Sequence, residues 1–566
     1  MLPLVKTFFR RSGLRSEDAG VHRNPLHRSL RQANVPSVFR LDKLKGHDVY
    51  EINIIDLQTH FRKGDFSSVD YVQFCLDRIQ KPEIDYYLES VIETNPDALA
   101  IASLLDKERS KGHVRGLLHG IPVLVKDNMA TKDKMQTTAG SWALLGSTVP
   151  RDAHIVSQLR EAGAVIIGHA NMAEWAALRS KIYSSAYSPR RGEVRNPFDL
   201  GKNGSSAGSA VAVSANIVPL SYGTETDSSI IGPAGINAIV GIKPTVGLTS
   251  RSGVIPISEH MDTVGPFGRS VYDAALGLNA IAHPDVRDEG TLDDSRVQEA
   301  DYTVYISDKS ALKGARFGLP WRRCWEFVAK DQLEIAQKIL NAMEALGVKL
   351  IRTNFPSAEE RIPEDGEWDW SREYGEPDKS EFTVVKVDAY NGINAYLSEL
   401  SHTEIKSIED IVEYNIRNSG TEGANPGDHP AFPSGQDNFH EITQTKGIKS
   451  DTYQKALQYT QEKSRKEGID GALKHPDGDF DALIMCDRNG VGQQMAAQAG
   501  YPIISIPIGL DADGLPVALT LHQTAWKEGI LIKWASAIEN LVHELSGSRP
   551  TPCYRNYLFK NVPVFE

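Results

Sequence analysis

A run of small residues, GKNGSSAGSAVAV at 201–213, holds serines in a spacing that can support nucleophilic catalysis. Its segment 204–208 fits G-x-S-x-G, in which a serine on a sharp strand-to-helix turn attacks an ester or amide with a histidine as base. Ser206 would be that nucleophile. The pattern needs a buried strand directly before the serine, but the preceding RGEVRNPFDLGKN is polar and interrupted by Pro197. The local sequence therefore does not favour a Ser-His-Asp site, and none of three candidate histidines stands in a context that singles it out: His429, His440 and His522.

These serines belong to a long stretch that is almost free of charge. Between Asn203 and Ile242 only Glu225 and Asp227 are charged, whereas the same stretch holds seven serines. A buried hydroxyl costs about 1–3 kcal/mol unless it is hydrogen-bonded. The stretch therefore predicts either a polar network in a water-poor site or a Ser-rich helix and turn whose hydroxyls bond to the backbone.

Alternating strands and helices surround the serines. The segment GIPVLVK predicts a strand that ends at Lys126. The segment DAHIVSQLREAG predicts a helix that ends at Gly163, and AVIIGHA predicts the strand that follows it. YPIISIPIGL and GLPVALTLH predict further buried strands, and residues 50–80 predict a helical hairpin in which Gly64 ends the first helix and Ser67 caps the second. Apolar strands alternating with helices are typical of a sheet covered on both faces, so we predict an α/β fold.

Composition and charge exclude several classes of protein. The 566 residues carry a net charge of −12, which argues against a nucleic-acid partner. Four scattered cysteines fit a reduced, intracellular compartment rather than a disulfide framework or a cysteine metal site. The uncharged run 203–224 is too polar for stable membrane insertion. The first 40 residues hold eight basic and two acidic residues, compatible with a solvated arm or a mitochondrial presequence, and otherwise we expect a cytoplasmic location.

Two segments look like surface insertions. Residues 357–381 contain ten acidic and three basic residues. Residues 419–436, SGTEGANPGDHPAFPSGQ, are too rich in Gly and Pro for a predicted helix or strand. Long loops of this kind are disordered in some proteins and form lids over the active site in others.

From about Gly120 to Asp273 the chain resembles the amidase signature hydrolases, with thinner similarity in AGYPIISIPIG. The motifs are VKD at 125–127, NGSSAGSAVAV at 203–213 and GTETDSSI at 223–230. Three segments are most similar to the peptide amidase branch of that family: GTETD, NMAEWAALRS and INAIVGIKPTVGL. The resemblance implies one amidase domain at 46–560, preceded by a basic arm at 1–45. The signature core of this domain would be residues 110–275. The fold implied is a large mixed sheet covered by helices.

The resemblance also implies a catalytic triad, with Ser229 as the nucleophile and Lys126 as the base. Its third member is Ser205, which would be preceded by a cis peptide bond. The backbone amides of the segment 226–229 would form the oxyanion hole: Thr226, Asp227, Ser228 and Ser229. We expect Asn171 and Met172 near the acyl pocket, and Glu225, Asp227 and Asp262 in supporting roles. On this interpretation no histidine, metal or cofactor is needed, the substrate is a small-molecule or peptide amide, and a homodimer is compatible with the sequence.

Lysine can act as this base only when it is neutral. At its ordinary pKa near 10.4, only about one lysine in 2500 is neutral at pH 7, and burial lowers that pKa by up to about 3–5 units. Lys126 lies at the end of an apolar strand beside the uncharged stretch. Asp127 follows it, but successive strand side chains point to opposite faces, so the two need not pair.

Two residues depart from the family pattern. Ser228 stands where relatives have glycine, and a left-handed backbone there would cost a serine about 1–2 kcal/mol. Ile231 stands where many relatives carry an arginine that meets a substrate carboxylate, so we expect an uncharged acyl group. Three alternatives remain open: an amidotransferase A subunit that acts on glutamine, an inactive or acyl-transferring member of the family, and a Ser-His-Asp esterase.

Overall fold

The computed structural model describes residues 35–80, 87–199, 204–293, 295, 299, 301–364, 376–486 and 491–555. Its strands are β1 Val91–Thr94, β2 Pro122–Lys126, β3 Val165–Ala170, β4 Tyr187–Ser188, β5 Gly192–Glu193, β6 Leu220–Glu225, β7 Val240–Lys243, β8 Thr263–Gly268, β9 Arg316–Pro320, β10 Lys349–Thr353, β11 Ala482–Met485, β12 Ile503–Leu510 and β13 Pro516–His522. Within these ranges, eleven strands form one sheet in the order β1-β3-β2-β6-β8-β7-β12-β13-β11-β9-β10.

This sheet is mixed. Strand β2 pairs in parallel with both β3 and β6, whereas β8 pairs antiparallel with β6 and β7. Every residue of β2, β3, β6, β7 and β8 is buried, as expected for apolar strands covered on both faces. The predicted α/β fold with a large mixed sheet is confirmed.

Helices surround the sheet and connect its strands. They are α1 Ile54–Lys63, α2 Ser68–Gln80, α3 Ala98–Ser110, α4 His154–Glu161, α5 Ala207–Ser214, α6 Ile231–Ile236, α7 Val271–Asn279, α8 Lys330–Ala345, α9 Ala358–Arg361, α10 Glu381–Glu399, α11 Ile408–Arg417, α12 Ser419–Glu422, α13 Asp437–Thr445, α14 Asp451–Ser464, α15 Asp470–Leu473, α16 Val491–Ala499 and α17 Glu528–Ser546. No helix of the described ranges is both long and apolar enough to cross a bilayer.

The locally predicted elements form where the sequence placed them. Gly64 ends α1 in the left-handed conformation with φ 73°, and the Ser67 hydroxyl accepts a hydrogen bond from the Asp70 amide at the start of α2. Strand β2 ends at Lys126, and Gly163 follows α4 with φ 82°. These elements were predictable because each carries its own apolar periodicity and its own end signal.

The two expected insertions differ from simple loops. Segment 357–381 begins with α9, and its residues 365–375 lie outside the described ranges, as does most of the basic arm, 1–34. Segment 419–436 begins with the one-turn helix α12, although its composition predicted neither helix nor strand. Tertiary contacts explain this difference, because Glu422 of α12 accepts a hydrogen bond from the Trp142 amide and the Arg179 guanidinium donates to the Gly423 carbonyl.

Candidate active site

The carboxyl ends of β2 and β6 meet at one edge of the sheet, because the two strands are parallel neighbours with Val125 opposite Tyr222. Ligands of open α/β sheets bind at this kind of edge. Lys126 is the last residue of β2, and the loop 226–229 leads from β6 into α6. The turn that precedes α5 brings Ser205 to the same place.

Lys126 is fully buried and surrounded by oxygen atoms. Its Nζ donates to three hydroxyl oxygens at 2.9 Å: Ser205 Oγ, Ser206 Oγ and Thr224 Oγ1. Asp127 faces elsewhere, accepting hydrogen bonds at Oδ2 from the Thr138 hydroxyl (2.6 Å) and the Gly140 amide (2.9 Å). Lys126 therefore has polar neighbours but no ion-pair partner among the described residues.

This environment changes the charge of the amine. Burial lowers the pKa of Lys126 from 10.5 to about 7, whereas the carboxylates of Asp262 and Glu225 act in the opposite direction. Desolvation dominates because a buried ammonium loses its hydration. With a pKa of about 7, about half of the molecules hold a neutral amine at neutral pH.

A chain of hydrogen bonds leads from Lys126 towards the surface. Ser205 Oγ lies 2.9 Å from Lys126 Nζ and 2.7 Å from Ser229 Oγ. Ser205 is buried, whereas Ser229 is half-buried at the end of the loop 226–229. Because a hydroxyl both donates and accepts, this chain can carry a proton from Ser229 to Lys126.

The turn that carries Ser205 is held by the segment 171–173. The Ala173 amide donates to the Ser205 carbonyl at 3.2 Å, and the Gly208 amide donates to the Asn171 carbonyl at 3.0 Å. The Asn171 side chain donates to the Glu89 and Gly192 carbonyls. Asn171 and Met172 are both fully buried, and their predicted contact with a substrate stays a prediction.

One expectation about the Ser205 turn was wrong. The resemblance implied a cis peptide bond before Ser205, but the described residues contain no cis peptide bond, so the Gly204–Ser205 bond is trans. The trans form is the lower-energy one before a residue other than proline. Ser205 contacts both Lys126 and Ser229 with this trans bond.

Ser206 is not placed as a nucleophile. It is fully buried and its hydroxyl donates to the Thr224 carbonyl at 3.0 Å. Within the described residues, no histidine hydrogen-bonds to the side chains of Ser205, Ser206 or Ser229. Three serines of the uncharged stretch, Ser205, Ser206 and Ser229, thus form a polar network around a buried lysine, as in the first of the two interpretations that the sequence left open. Three others donate to backbone carbonyls, as in the second interpretation: Ser209, Ser214 and Ser221.

Acidic residues hold the loop 226–229 at both of its ends. Glu225 Oε2 accepts hydrogen bonds from the Ile230 and Ile231 amides at 2.6 and 2.9 Å. The Thr226 hydroxyl donates to Asp262 Oδ1 at 2.6 Å. Ser228 lies between these anchors with φ 56°, the left-handed conformation in which a side chain costs about 1–2 kcal/mol. The expected supporting roles of Glu225 and Asp262 are therefore observed.

A cavity of about 150 Å³ opens beside Ser228. Its lining residues are mainly small or apolar, and Ile231 is among them. Polar side chains also reach it, namely Gln332, Gln493, Ser505 and Thr520, but the described lining includes no charged side chain.

One known protein family matches more than half of this chain. The family model described as Amidase matches residues 70–416. The chain belongs to the amidase family. This amidase is 46% identical over 543 residues to a putative amidase from Schizosaccharomyces pombe, covering 94% of this chain and 91% of that one.

Two further comparisons concern the peptide amidase and amidotransferase branches. The solved structure of native peptide amidase from Stenotrophomonas maltophilia superposes on this amidase with a TM-score of 0.78 and 36% identity, covering 89% of this chain and 99% of that one. The A subunit of a glutamyl-tRNA(Gln) amidotransferase from Alkaliphilus metalliredigens is 29% identical over 511 residues, covering 87% and 96%. This amidase is a hydrolase of the family that the sequence motifs predicted.

Proposed function

We propose that this amidase hydrolyses a carboxamide through an acyl-enzyme on Ser229, with Ser205 relaying protons to and from Lys126. The continuous chain Ser229–Ser205–Lys126, with steps of 2.7 and 2.9 Å, carries the proposal. Its inner end is an amine that burial keeps partly neutral at pH 7. Such an amine can act as a general base, which an exposed lysine cannot.

Acylation begins when Ser229 Oγ attacks the carbonyl carbon of the amide. The Ser229 proton passes to Ser205 Oγ while the Ser205 proton passes to Lys126 Nζ, so that the amine becomes an ammonium. The tetrahedral intermediate then collapses, and the C–N bond breaks as a proton returns through Ser205 to the leaving nitrogen. Ammonia or an amine departs, and the acyl group remains as an ester on Ser229.

Deacylation repeats the sequence with water. Lys126 is neutral again and takes a proton, through Ser205, from a water that attacks the ester carbon. The ester bond breaks, Ser229 recovers its proton, and the carboxylic acid product ionises on release. Water is the one reactant of this cycle besides the chain and its substrate.

We infer that the oxyanion of both intermediates binds to backbone amides of the loop 226–229. The next two amides, those of Ile230 and Ile231, already donate to Glu225. The candidate donors are therefore the earlier amides of the loop, from Thr226 to Ser229. Removing one donor of an oxyanion hole lowers kcat by about 100- to 1000-fold.

The cavity beside Ser228 supports an uncharged acyl group. Its volume of about 150 Å³ suits a group of about the size of benzene. Ile231 lines it where an arginine would have offered a partner for a carboxylate. We therefore propose a neutral small-molecule amide or a C-terminally amidated peptide as the substrate.

The same observation separates this proposal from the amidotransferase alternative. Glutamine carries an α-carboxylate, for which the described lining of the cavity holds no cationic partner. If the protein were an amidotransferase A subunit, it would release ammonia from glutamine faster than from neutral amides and would co-purify with partner subunits. The homodimer and the cytoplasmic location stay predictions.

A fluorophosphonate probe tests the proposal, because it reacts with activated serines. We expect it to label Ser229 in the wild type and not in Ser229→Ala, and we expect both variants Ser229→Ala and Lys126→Met to lose hydrolysis of neutral amides. Labelling that persists at another serine in Ser229→Ala would refute the assignment of the nucleophile. Equal hydrolysis by wild type and Lys126→Met would refute the assignment of the base.

A further inference from the structure

The carboxylate that holds the Thr226 side chain belongs to a tight turn. Asp262 Oδ1 accepts the Thr226 hydroxyl at 2.6 Å, and Asp262 Oδ2 accepts the Ile257 and Ser258 amides at 2.7 and 3.0 Å. The Asp262 amide in turn donates to the Ser258 carbonyl at 2.9 Å. Because the turn is closed by bonds in both directions, Asp262 cannot move far without Ser258.

Two helices hold this turn from its other side. The fully buried Ser258 hydroxyl donates to Oδ2 of Asp388, on α10, at 2.7 Å. Oδ1 of the same carboxylate accepts the hydroxyl of Tyr453, on α14, at 2.7 Å, and His260 Nε2 lies 3.0 Å from that hydroxyl. Asp388 and Tyr453 are both buried. Hydrogen bonds to a carboxylate are short and strong, so Asp388 ties the turn firmly to both helices.

These bonds form one continuous path, Tyr453–Asp388–Ser258–Asp262–Thr226, which we call the anchor path. Each of its steps is a hydrogen bond of 2.6 to 3.0 Å. Thr226 carries the first of the backbone amides that are the candidate oxyanion donors. Such donors act at about 2.7–3.1 Å from the oxyanion, so a small displacement of Thr226 has a large effect on the rate.

We propose that Asp388 and Tyr453 are positioning residues for the oxyanion donors of the loop 226–229. They contact neither the nucleophile nor the base, and they act through the anchor path by fixing where the Thr226 amide lies. The proposal rests on the proposed function, because it assumes that this loop binds the oxyanion. It assigns to α10 and α14, which supply no group to the proposed reaction, a task in setting its rate.

The test is the rate of fluorophosphonate labelling of Ser229 at increasing probe concentration, which separates the maximal rate from the half-saturating concentration. Tyr453→Phe removes one hydroxyl of the anchor path, and Ser258→Ala removes another. We expect each variant to lower the maximal rate by about three- to tenfold and to change the half-saturating concentration by less than about twofold, because displaced oxyanion donors affect the transition state more than probe binding. Tyr459→Phe is the matched control on α14, since its hydroxyl donates to Glu360 at 2.6 Å, outside the path, and it should change neither value.

A second substitution shows whether the effect of Tyr453 passes through Thr226. Thr226→Val keeps the shape of the side chain but removes the hydroxyl that bonds to Asp262, so the maximal labelling rate should fall at least about tenfold. In this background the anchor path is already broken, so adding Tyr453→Phe should change the maximal rate by less than about twofold. If Tyr453 only stabilised the fold, Tyr453→Phe would lower the rate by the same factor in both backgrounds.

The outcomes distinguish this proposal from the one on which it rests. Wild-type maximal rates in Tyr453→Phe and Ser258→Ala, with labelling still lost in Ser229→Ala, would overturn the anchor path and leave the proposed function standing. Equal losses with and without Thr226→Val would overturn the path as well. Labelling that survives in Ser229→Ala would overturn the proposed function itself. If Tyr453→Phe does not fold, as checked by thermal unfolding, Ser258→Ala measured in both backgrounds decides the question.

Discussion

The Lys126 side chain, the proposed general base, also affects the stability of the protein. A lysine that loses its proton at about pH 7 inside the protein, but near 10.5 when unfolded, makes the folded state less stable over the whole range below the higher value. The unfolded chain keeps its proton between pH 7 and 10.5 and the folded protein does not, so this cost shrinks as pH rises. Below about pH 7 the cost is complete.

Replacing this lysine should therefore stabilise the protein while abolishing hydrolysis. A shift from 10.5 to about 7 corresponds to up to about 4–5 kcal/mol, and losing the hydrogen bonds to buried hydroxyls offsets about 1–3 kcal/mol. Lys126→Met should be more stable at pH 7 by about 1–3 kcal/mol, and this advantage should shrink by about 2–3 kcal/mol at pH 9. Urea unfolding at both pH values measures it. An advantage that does not depend on pH would show that the pKa of Lys126 is ordinary.

At the scale of elements, the site depends on how closely the turn before α5 approaches the segment 171–173. Gly208 lies where a Cβ atom would come within 2.3 Å of the Ser90 carbonyl oxygen and 2.4 Å of the Asn171 carbonyl oxygen. Both are backbone atoms, so the start of α5, to which Gly208 belongs, would have to move together with the turn before it. Because the same turn carries Ser205, its position sets the two distances of the proposed proton relay.

Adding one methyl group at this contact should damage both stability and chemistry. We expect Gly208→Ala to lower the free energy of unfolding by about 1–3 kcal/mol, as overpacking does, and to slow labelling of Ser229 because Ser205 is displaced. Gly420→Ala is the matched control, since a Cβ there meets nothing within 4 Å. Denaturant unfolding and the rate of Ser229 labelling are measured for both variants. Equal stability and equal labelling rates in Gly208→Ala and Gly420→Ala would contradict this prediction.

At the scale of the whole molecule, buried charges fasten segment 419–436 to the core. The Arg179 guanidinium lies 2.6 Å from Glu174 Oε2, donates to the Gly423 carbonyl at 2.7 Å, and stacks 4.0 Å from the centre of the Phe432 ring. Burial and the neighbouring Glu174 raise the pKa of Glu422, so that Glu422 favours its neutral form. The positive charge of Arg179 is thus balanced mainly by Glu174.

This balance predicts unequal effects of two substitutions. Arg179→Met leaves Glu174 as an unpaired buried carboxylate, so it should lower the free energy of unfolding by about 3–5 kcal/mol. Glu422→Gln replaces a carboxyl that is already largely neutral and should change it by less than about 1 kcal/mol. Denaturant unfolding at pH 7 measures both values. A larger loss in Glu422→Gln than in Arg179→Met would mean that Glu422, not Glu174, carries the balancing charge.

The sequence predicted the parts of this molecule whose signals are local. Strands β2 and β3, helix α4 and the hairpin of α1 and α2 each show an apolar pattern and a residue that ends it. Lys126, Ser205 and Ser229 were located through motifs, and the structure brings them into one hydrogen-bonded chain. The contacts that tune this chain were not predictable in the same way. The Lys126–Ser206 bond spans 80 positions and the Arg179–Gly423 bond 244, and neither leaves a periodic pattern in the sequence.

The central claim is that a neutral, buried Lys126 activates Ser229 through Ser205. The pH dependence of Ser229 labelling in wild type and Lys126→Met, with the labelled residue located by mass spectrometry, tests it most directly. We predict a wild-type rate that rises with a midpoint near pH 7 and a loss of about 10²- to 10⁴-fold in Lys126→Met, the usual contribution of a general base. A Lys126→Met variant that labels Ser229 as fast as wild type, with the same pH profile, would contradict the claim.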